Sequence, residues 1–189
     1  MQRKVKPIPP GYHTVTPYLC VNGAASAIMF YKKAFAAKEI MRMPGAGHSI
    51  GHAEIQIEDS RIMLADEHPD MNFRGPHSFG GTAVHIHLYV QDVDRVVKKA
   101  LTAGAKLLRP VADQFYGDRS GSLEDPFGHV WHVASHKENV STQELKKRAA
   151  AMAASAEKKL RRSEDEIHVA DLPRGTKSVE RSRTAGLLC

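Results

Sequence analysis

Residues 88–101 read LYVQDVDRVVKKAL, a strand-like end that leads directly into a helix pattern. Residues 19–35, LCVNGAASAIMFYKKAF, repeat that order, and further short strand-like segments follow each copy. The separation between the copies is longer than the roughly 20–50 residues of solenoid repeats, so a supersecondary module that is used twice is favoured. A duplicated module leaves a cleft between its copies, and we expect the functional residues to lie there.

The hydrophobic periodicity of each copy predicts the order β-α-β-β-β, and therefore an α+β fold. Asn22-Gly23 is expected to cap the first helix, while Asp92 caps the second and Gly104 ends it. The predicted strands cover residues 14–21, 39–43, 52–57 and 61–65 in the first copy, and 84–90, 106–109, 119–124 and 129–134 in the second.

The charge of the chain is concentrated towards its C-terminus. The net charge is +6 for 189 residues, and residues 136–189 carry 12 Lys and Arg against 8 Asp and Glu. The remaining residues are nearly neutral and lack the basic stripe with interleaved aromatic residues that is typical of nucleic-acid binding. We therefore expect no nucleic-acid partner.

Cysteine usage and hydropathy favour the cytoplasm. Cys20 and Cys189 are far apart and form neither a disulfide framework nor a metal-binding knuckle. No stretch resembles a signal peptide, and none has the roughly 18 apolar residues needed for a membrane span. We expect a cytoplasmic protein without a membrane partner.

A capping box at Ser141 and Glu144 predicts a C-terminal helix over residues 141–162. Its apolar stripe is thin, although its alanines give it a high helix propensity. From residue 163 the pattern dissolves into charged residues, glycine and proline, so residues 163–189 are predicted to be a disordered basic tail.

Five groups of motifs lie along the two copies. They are Pro17-Tyr18-Leu19, Phe30-Tyr31 with Ala34-Phe35, Leu88-Tyr89-Val90 with Asp92-Val93-Asp94, Phe115-Tyr116-Gly117-Asp118-Arg119, and Asp125-Pro126-Phe127-Gly128-His129 with Trp131. Together these motifs resemble the vicinal oxygen chelate superfamily, which groups glyoxalases, bleomycin-resistance proteins and dioxygenases, and in particular its PhnB-like branch. The resemblance covers roughly residues 12–150 and implies a glyoxalase-like domain over residues 12–140, whose two modules form a U-shaped mixed sheet around a ligand.

The resemblance also implies where a metal would bind. Metal enzymes of the superfamily take ligands from the first and last strand of each module, and the duplication places these four positions at Thr16, Leu64, His85 and His132. Thr16 and Leu64 are poor ligands, so a chain without a cofactor is favoured. His87 lies on the same strand face as His85, so a divalent ion (Zn, Ni, Fe or Mn) held by His85, His87 and His132 is the alternative.

Phe115, Tyr116, Asp118 and Arg119 are candidate ligand-binding residues, because the rings offer stacking faces and the guanidinium binds anions. The alternative is that the Asp-Arg pair only fixes the hairpin. Strand alternation turns Trp131 away from His132, so Trp131 is expected to pack under a helix.

Two functions stay open at this point. The chain either binds a small organic ligand without a complete metal site, or is a metal-dependent lyase, isomerase or dioxygenase-type enzyme. Whether it is an enzyme is left undecided. A homodimer is expected, since a lone U-shaped sheet leaves edges and an apolar face that oligomerisation covers.

Overall fold

The computed structural model describes residues 5–170, with side chains for residues 5–158. One compact unit ends at Ser141 and contains both modules, and a second unit begins at Thr142. No helix within this described range is long and apolar enough to cross a bilayer.

Each module has one long helix and four strands, so the predicted order β-α-β-β-β is confirmed twice. The strands are β1 Tyr18–Val21, β2 Lys38–Pro44, β3 Ile50–Ile57, β4 Ser60–Asp66, β5 His85–Tyr89, β6 Lys106–Asp113, β7 Asp118–Glu124 and β8 Val130–His136. The helices are α1 Ala24–Phe35, the single turn α2 Pro76–Phe79, α3 Val93–Thr102 and α4 Thr142–Ala170.

Each module builds its own four-stranded mixed sheet. The orders are β1-β4-β3-β2 and β5-β8-β7-β6, so the first and last strands of each module lie side by side. These neighbours are parallel, and the other pairs are antiparallel. The same topology in both modules confirms the duplication and the α+β fold class.

The hydrophobic core lies on the helix-facing sides of the two sheets and joins both modules. Trp131 of β8 is completely buried. Its ring centroid lies 5.5 Å from that of Tyr31 and 4.7 Å from that of Phe35, both on α1. The prediction that Trp131 packs under a helix is confirmed, and the helix belongs to the other module.

The helix ends agree with the sequence prediction in the second module but not in the first. The Asp92 side chain accepts a hydrogen bond from Arg95 N, and Gly104 follows α3 with a φ of 111°. At α1, Gly23 is left-handed and no side chain caps the helix from that position. Asp66 caps it instead, because its Oδ1 lies 2.8 Å from both Gly23 N and Ala24 N.

Strand β6 continues through Pro110 to Asp113, although the sequence predicted a strand that proline ends at residue 109. The pairing register shifts between Arg109 and Ala112, and β6 is the edge strand of its sheet. A proline without a backbone donor is tolerated at such an irregular edge.

Helix α4 ends at Ala170, beyond the predicted boundary at residue 162. Charged residues do not end a helix, and the first proline or glycine after residue 162 is Pro173. The helix thus extends eight residues beyond the prediction, the disorder expected for the tail of residues 163–189 stays a prediction, and residues 171–189 lie outside the described residues.

Candidate functional site

Side chains alternate along each strand, so every sheet has a second face that is turned away from the helices. We call it the open face. On the second sheet the open face carries His85 and His87 of β5, Ser122 of β7 and His132 of β8, since the neighbouring Leu123, Trp131 and Val133 belong to the core.

The three candidate histidines come together on this open face. His85 Nδ1 lies 3.0 Å from His132 Nε2, and His132 Nδ1 lies 2.7 Å from Ser122 Oγ. The His87 ring centroid lies 6.2 Å from that of His132. Both ring nitrogens of His132 are thus engaged by protein groups.

The surroundings of His132 favour its neutral form. Burial lowers the pKa of His132, and the nearby His85, Arg109 and His87 lower it further. A neutral imidazole has one donor and one acceptor, and the contacts with Ser122 and His85 use both.

The strand registers correct one of the four metal positions inferred from the resemblance. His132 pairs with His87, and Met63 pairs with Tyr18, which is the equivalent of His87 in the first module. The counterpart of His132 is therefore Met63 and not Leu64. Leu64 is completely buried on the helix-facing side, because a shift of one residue reverses the face of a strand.

The residues present do not fit the family's divalent site. Of the four positions, Thr16, Met63, His85 and His132, only the two histidines offer ligands that Zn²⁺ or Ni²⁺ prefers, and those two bond to each other. Among the described residues, no group of three or more His, Cys, Asp or Glu side chains is arranged to hold a metal ion.

The four candidate ligand-binding residues do not form one site. Asp118 lies on the open face but is buried, and accepts hydrogen bonds from Tyr89 Oη at 2.9 Å and His136 Nδ1 at 2.8 Å. Phe115 and Tyr116 form an edge-on pair with ring centroids 5.3 Å apart. Tyr116 Oη lies 3.3 Å from Ser120 Oγ.

Arg119 lies on the opposite, helix-facing side. Its Nε and Nη2 donate to both carboxylate oxygens of Asp94 on α3, at 2.8 and 2.9 Å, and its Nη1 donates to Asp113 at 3.2 Å. The hydrogen bonds that Arg119 donates to these two carboxylates raise its pKa. The guanidinium is therefore committed to fixing the hairpin to α3.

The open face of the first sheet carries a chain of polar groups that the sequence analysis missed. Tyr18 Oη lies 3.0 Å from His52 Nδ1, and His52 Nε2 lies 3.5 Å from Glu54 Oε1. Arg61 Nη1 donates to Glu54 Oε2 at 3.0 Å. The available signal was the alternation of His52 and Glu54 along a strand, which points both to one face.

The carboxylate in this row of polar groups is that of Glu54, which is buried but stabilised by its neighbours. Glu54 is only 7% exposed. Hydrogen bonding from Tyr12 lowers the pKa of Glu54 most, and His52 and Arg61 lower it too. The Tyr12 ring centroid lies 4.5 Å from the guanidinium carbon of Arg61. The residues before β1 therefore cover the Arg61 end of this row of polar groups.

A cavity of about 660 Å³ lies beside Tyr18. Residues 67–84 form the connector between the modules, and Phe73, Arg74 and Phe79 of this connector form part of the cavity wall. Cys20 also lines this cavity. Burial raises the pKa of its thiol to about 11, so the thiol is protonated at neutral pH and is a poor nucleophile.

A second cavity, of about 480 Å³, adjoins the first. Tyr18, Thr82 and His129 line both, and the second cavity also reaches His85 and His87. Open-face residues of both sheets, Tyr18 of the first and His85 and His87 of the second, therefore border this pair of cavities, and each volume lies within the roughly 300–1,000 Å³ that is typical of small-molecule sites.

The connector that walls the first cavity is fixed by named contacts. Glu67 Oε1 accepts hydrogen bonds from Gly75 N and Ser78 Oγ, both at 2.6 Å. A Cβ at Gly75 would lie 2.8 Å from the Cys20 carbonyl oxygen, so only glycine fits there. The Phe73 ring lies edge-on to Tyr18, with centroids 5.4 Å apart.

Comparison with known proteins finds similarity over the two modules. A family model described as Glyoxalase/Bleomycin resistance protein/Dioxygenase superfamily matches residues 12–133. An uncharacterized protein of Mycobacterium tuberculosis (strain ATCC 25618 / H37Rv) is 43% identical over 134 residues, which are 69% of this chain and 79% of that protein.

TioX and a PhnB protein are among the solved structures that are similar in fold. TioX from Micromonospora sp. ML1 is 24% identical with a TM-score of 0.54, and the match covers 66% of this chain and 98% of TioX. The PhnB protein from Bacillus cereus is 19% identical with a TM-score of 0.51, over 65% of this chain and 99% of that one. At these identities the likeness concerns the fold alone.

Proposed function

This chain belongs to the Glyoxalase/Bleomycin resistance protein/Dioxygenase superfamily, and on that premise we propose that it binds a small organic anion in the adjoining cavities beside Tyr18. Binding does not depend on the divalent ion of the superfamily's metal enzymes. The observation that carries the proposal is the pair of adjoining cavities that open-face residues of both sheets border.

The lining of the larger cavity suggests the chemistry of the ligand. Phe73 and Phe79 offer aromatic surface, and Tyr18 offers a hydroxyl. Arg74 forms no ion pair with any described residue, so its charge is available to a carboxylate or another planar anion. A flat apolar body with one negative charge fits these groups.

The binding proposal is tested by isothermal titration calorimetry with 1-naphthoate and with the uncharged 1-naphthalenemethanol. Arg74→Gln is expected to weaken 1-naphthoate binding about tenfold or more, since a hydrogen bond to a charged group contributes about 1.5–3 kcal/mol. The alcohol should bind equally to both proteins.

Arg95→Gln is the matched control, because it removes the same charge from the exposed surface of α3. Equal weakening in the two variants would reduce the effect to general electrostatics. Absence of 1-naphthoate binding to the wild type would count against this ligand class.

We propose binding without a metal ion because of the side chains at the four positions where the family's metal enzymes have ligands. Met63 and Thr16 replace half of the family's ligands, and the His85–His132 contact occupies the other half. The metal-dependent alternative with His85, His87 and His132 would need these rings to break that contact.

We also propose that the chain forms a homodimer. Several large apolar side chains of the cavity walls and of the connector are exposed, and a second copy would cover them. They are Val15 at 83%, Met71 at 77%, Phe79 at 67% and Val84 at 72%. A cytoplasmic location stays a prediction, in keeping with the free, buried thiol of Cys20.

A further inference from the structure

We propose that Tyr18, His52 and Glu54 form a metal-independent proton-transfer site that acts on an enolisable organic anion in the cavity beside Tyr18. The proposal rests on the ligand binding proposed above and adds an activity to it. Tyr18 is the residue that meets the substrate, while His52 and Glu54 act through it.

The geometry orders the three groups into a line. Tyr18 is on β1 and His52 and Glu54 are on β3, on either side of β4. Tyr18 Oη lies 3.0 Å from His52 Nδ1, and the two rings meet edge-on at a centroid distance of 5.5 Å. The other ring nitrogen, Nε2, lies 3.5 Å from Glu54 Oε1.

The chemistry of Glu54 determines where the protons are. An ionised carboxylate only accepts hydrogen bonds, so it favours the tautomer of His52 with its proton on Nε2. Nδ1 then has a free lone pair and accepts the hydroxyl hydrogen of Tyr18. Each group is thereby oriented by the next, as in other activated side chains that work through a histidine.

The exposure of each group suits its role. Tyr18 is 48% exposed and lines both cavities, whereas Glu54 is 7% exposed and held by Arg61. Burial raises the pKa of Tyr18, so its hydroxyl keeps its proton until a substrate provides another. The lowered pKa of Glu54 keeps the carboxylate charged beside an imidazolium.

The proposed step is an enolisation. The Tyr18 oxygen takes a proton from the carbon next to a substrate carbonyl, while its own hydroxyl proton moves to His52 Nδ1. The electron pair of the broken C–H bond forms the C=C bond, and the carbonyl becomes an enolate whose oxygen takes a proton from water. Glu54 stabilises the imidazolium, which returns its proton to water, so no oxidant or metal is needed.

The second module does not repeat this arrangement. Its register equivalent of Tyr18 is His87, and that of Glu54 is Ser122. A serine hydroxyl cannot provide the negative charge that stabilises an imidazolium. Within residues 5–170, the proposed site therefore belongs to the open face of the first sheet and has no equivalent at the matching positions of the second.

Phenylpyruvate is a suitable probe, because it has a carboxylate for Arg74, an aromatic ring and an acidic C–H beside a carbonyl. The full chain is treated with chelator, and keto–enol interconversion is followed by ultraviolet absorbance. Tyr18→Phe and His52→Gln are expected to lower kcat about 100-fold with little change in KM. The kcat of Glu54→Gln should lie between the kcat of these variants and that of the wild type.

The matched control is Tyr89→Phe, which removes a hydroxyl that donates to Asp118 on the other sheet and should leave kcat unchanged. Calorimetric binding of phenylpyruvate is measured in the same samples. Circular dichroism and thermal unfolding confirm that each variant is folded.

The outcomes separate the two proposals. Binding without accelerated interconversion, or with rates that Tyr18→Phe and His52→Gln leave unchanged, overturns the proton-transfer site and leaves ligand binding intact. No binding of phenylpyruvate or 1-naphthoate overturns the proposed function and, with it, the substrate class. Loss of rate on treatment with chelator would assign the activity to a metal and overturn this inference alone.

Discussion

Tyr31 donates a buried hydrogen bond of 2.8 Å to Asp125 Oδ2, although 94 positions separate the two residues in the chain. The contact joins α1 of the first module to the β7–β8 turn of the second. The carboxylate also accepts from Trp131 Nε1 at 2.9 Å and from the backbone N–H groups of Phe127 and His129, at 2.9 and 3.0 Å. One buried side chain thus serves both the turn and the interface between the modules.

Asp125→Ala is expected to reduce the free energy of unfolding by about 3–5 kcal/mol, because it leaves four buried donors without an acceptor. Tyr31→Phe removes one of the four bonds and should cost about 1–2 kcal/mol. Urea unfolding measures both. Asp70→Ala removes an exposed carboxylate and should change stability by less than about 0.5 kcal/mol. If Asp125→Ala were equally mild, the carboxylate would not hold the modules together.

The stability of the protein should fall on mild acidification because of His129. Burial lowers the pKa of His129. Between the folded-state and unfolded-state pKa values, the imidazole is therefore protonated in the unfolded chain and neutral in the folded chain. The contribution to stability is complete above the ordinary histidine pKa of about 6.5 and is lost as the pH falls below it towards the folded-state pKa.

Urea unfolding between about pH 7.5 and pH 5, above the range in which carboxylates titrate, tests this sign. His129→Gln should flatten the dependence, and His48→Gln, in the exposed β2–β3 loop, should not. A wild-type stability that rises on acidification in this range would contradict the prediction.

Arg119 is expected to matter for stability and not for ligand binding. Arg119→Gln breaks three hydrogen bonds to Asp94 and Asp113, so the melting temperature should fall slightly, and less so at high salt. Asp94→Asn should have a similar effect, and the double variant little more. Weaker binding of 1-naphthoate to Arg119→Gln would return this residue to the ligand site.

The purified protein is expected to hold no stoichiometric divalent metal, and His132→Ala should not change its metal content. The reason is the donor set of the open face, in which His132 already bonds Ser122 and His85. Elemental analysis after dialysis against Zn²⁺, Ni²⁺, Fe²⁺ or Mn²⁺ measures it. One tightly held ion per chain that His132→Ala releases would support the three-imidazole site instead.

A homodimer predicts a particle of twice the 20.8 kDa chain mass in light scattering at micromolar concentration. Val84→Asp and Phe79→Asp place charges among the exposed apolar side chains and should shift the particle towards the monomer. Lys106→Asp, on the edge strand β6, is a control. A monomeric wild type at this concentration would rule the dimer out.

Local patterns were sufficient for the elements of the fold. The alternation and periodicity of each copy, together with Asp92 and Gly104 around α3, depend on neighbouring residues and could be predicted. Asp66 as the cap of α1 could not, because it reaches the helix from the end of β4.

The face that a side chain occupies was harder to predict than its strand. Two residues separate β3 from β4, whereas five residues separate β7 from β8, so the position of His132 could not be transferred to the first module by sequence, and Leu64 was predicted in place of Met63. The same alternation of faces applies to Asp118 and Arg119. Because β7 begins at Asp118, one residue earlier than predicted, both residues belong to the strand and their side chains lie on opposite faces of the sheet.

The polar chain of the first sheet escaped prediction for a different reason. Tyr18 lies on one strand and His52 and Glu54 on another, and their adjacency requires β4 to lie between them. Sequence alone offers no measure of that distance. The histidines of the second sheet were easier to find because two of them, His85 and His87, share one strand.

The anchoring of the connector by Glu67 bears on the thermodynamics of recognition. Gly75 and Ser78 are held by hydrogen bonds to Glu67, so the cavity wall around Phe73 is ordered without a ligand. Little conformational entropy should therefore be lost on binding. Such a preorganised wall rejects ligands of the wrong shape instead of moulding itself to them. The chain should therefore be selective among anions of similar polarity, with association rates close to those of a rigid pocket and no slow closing phase.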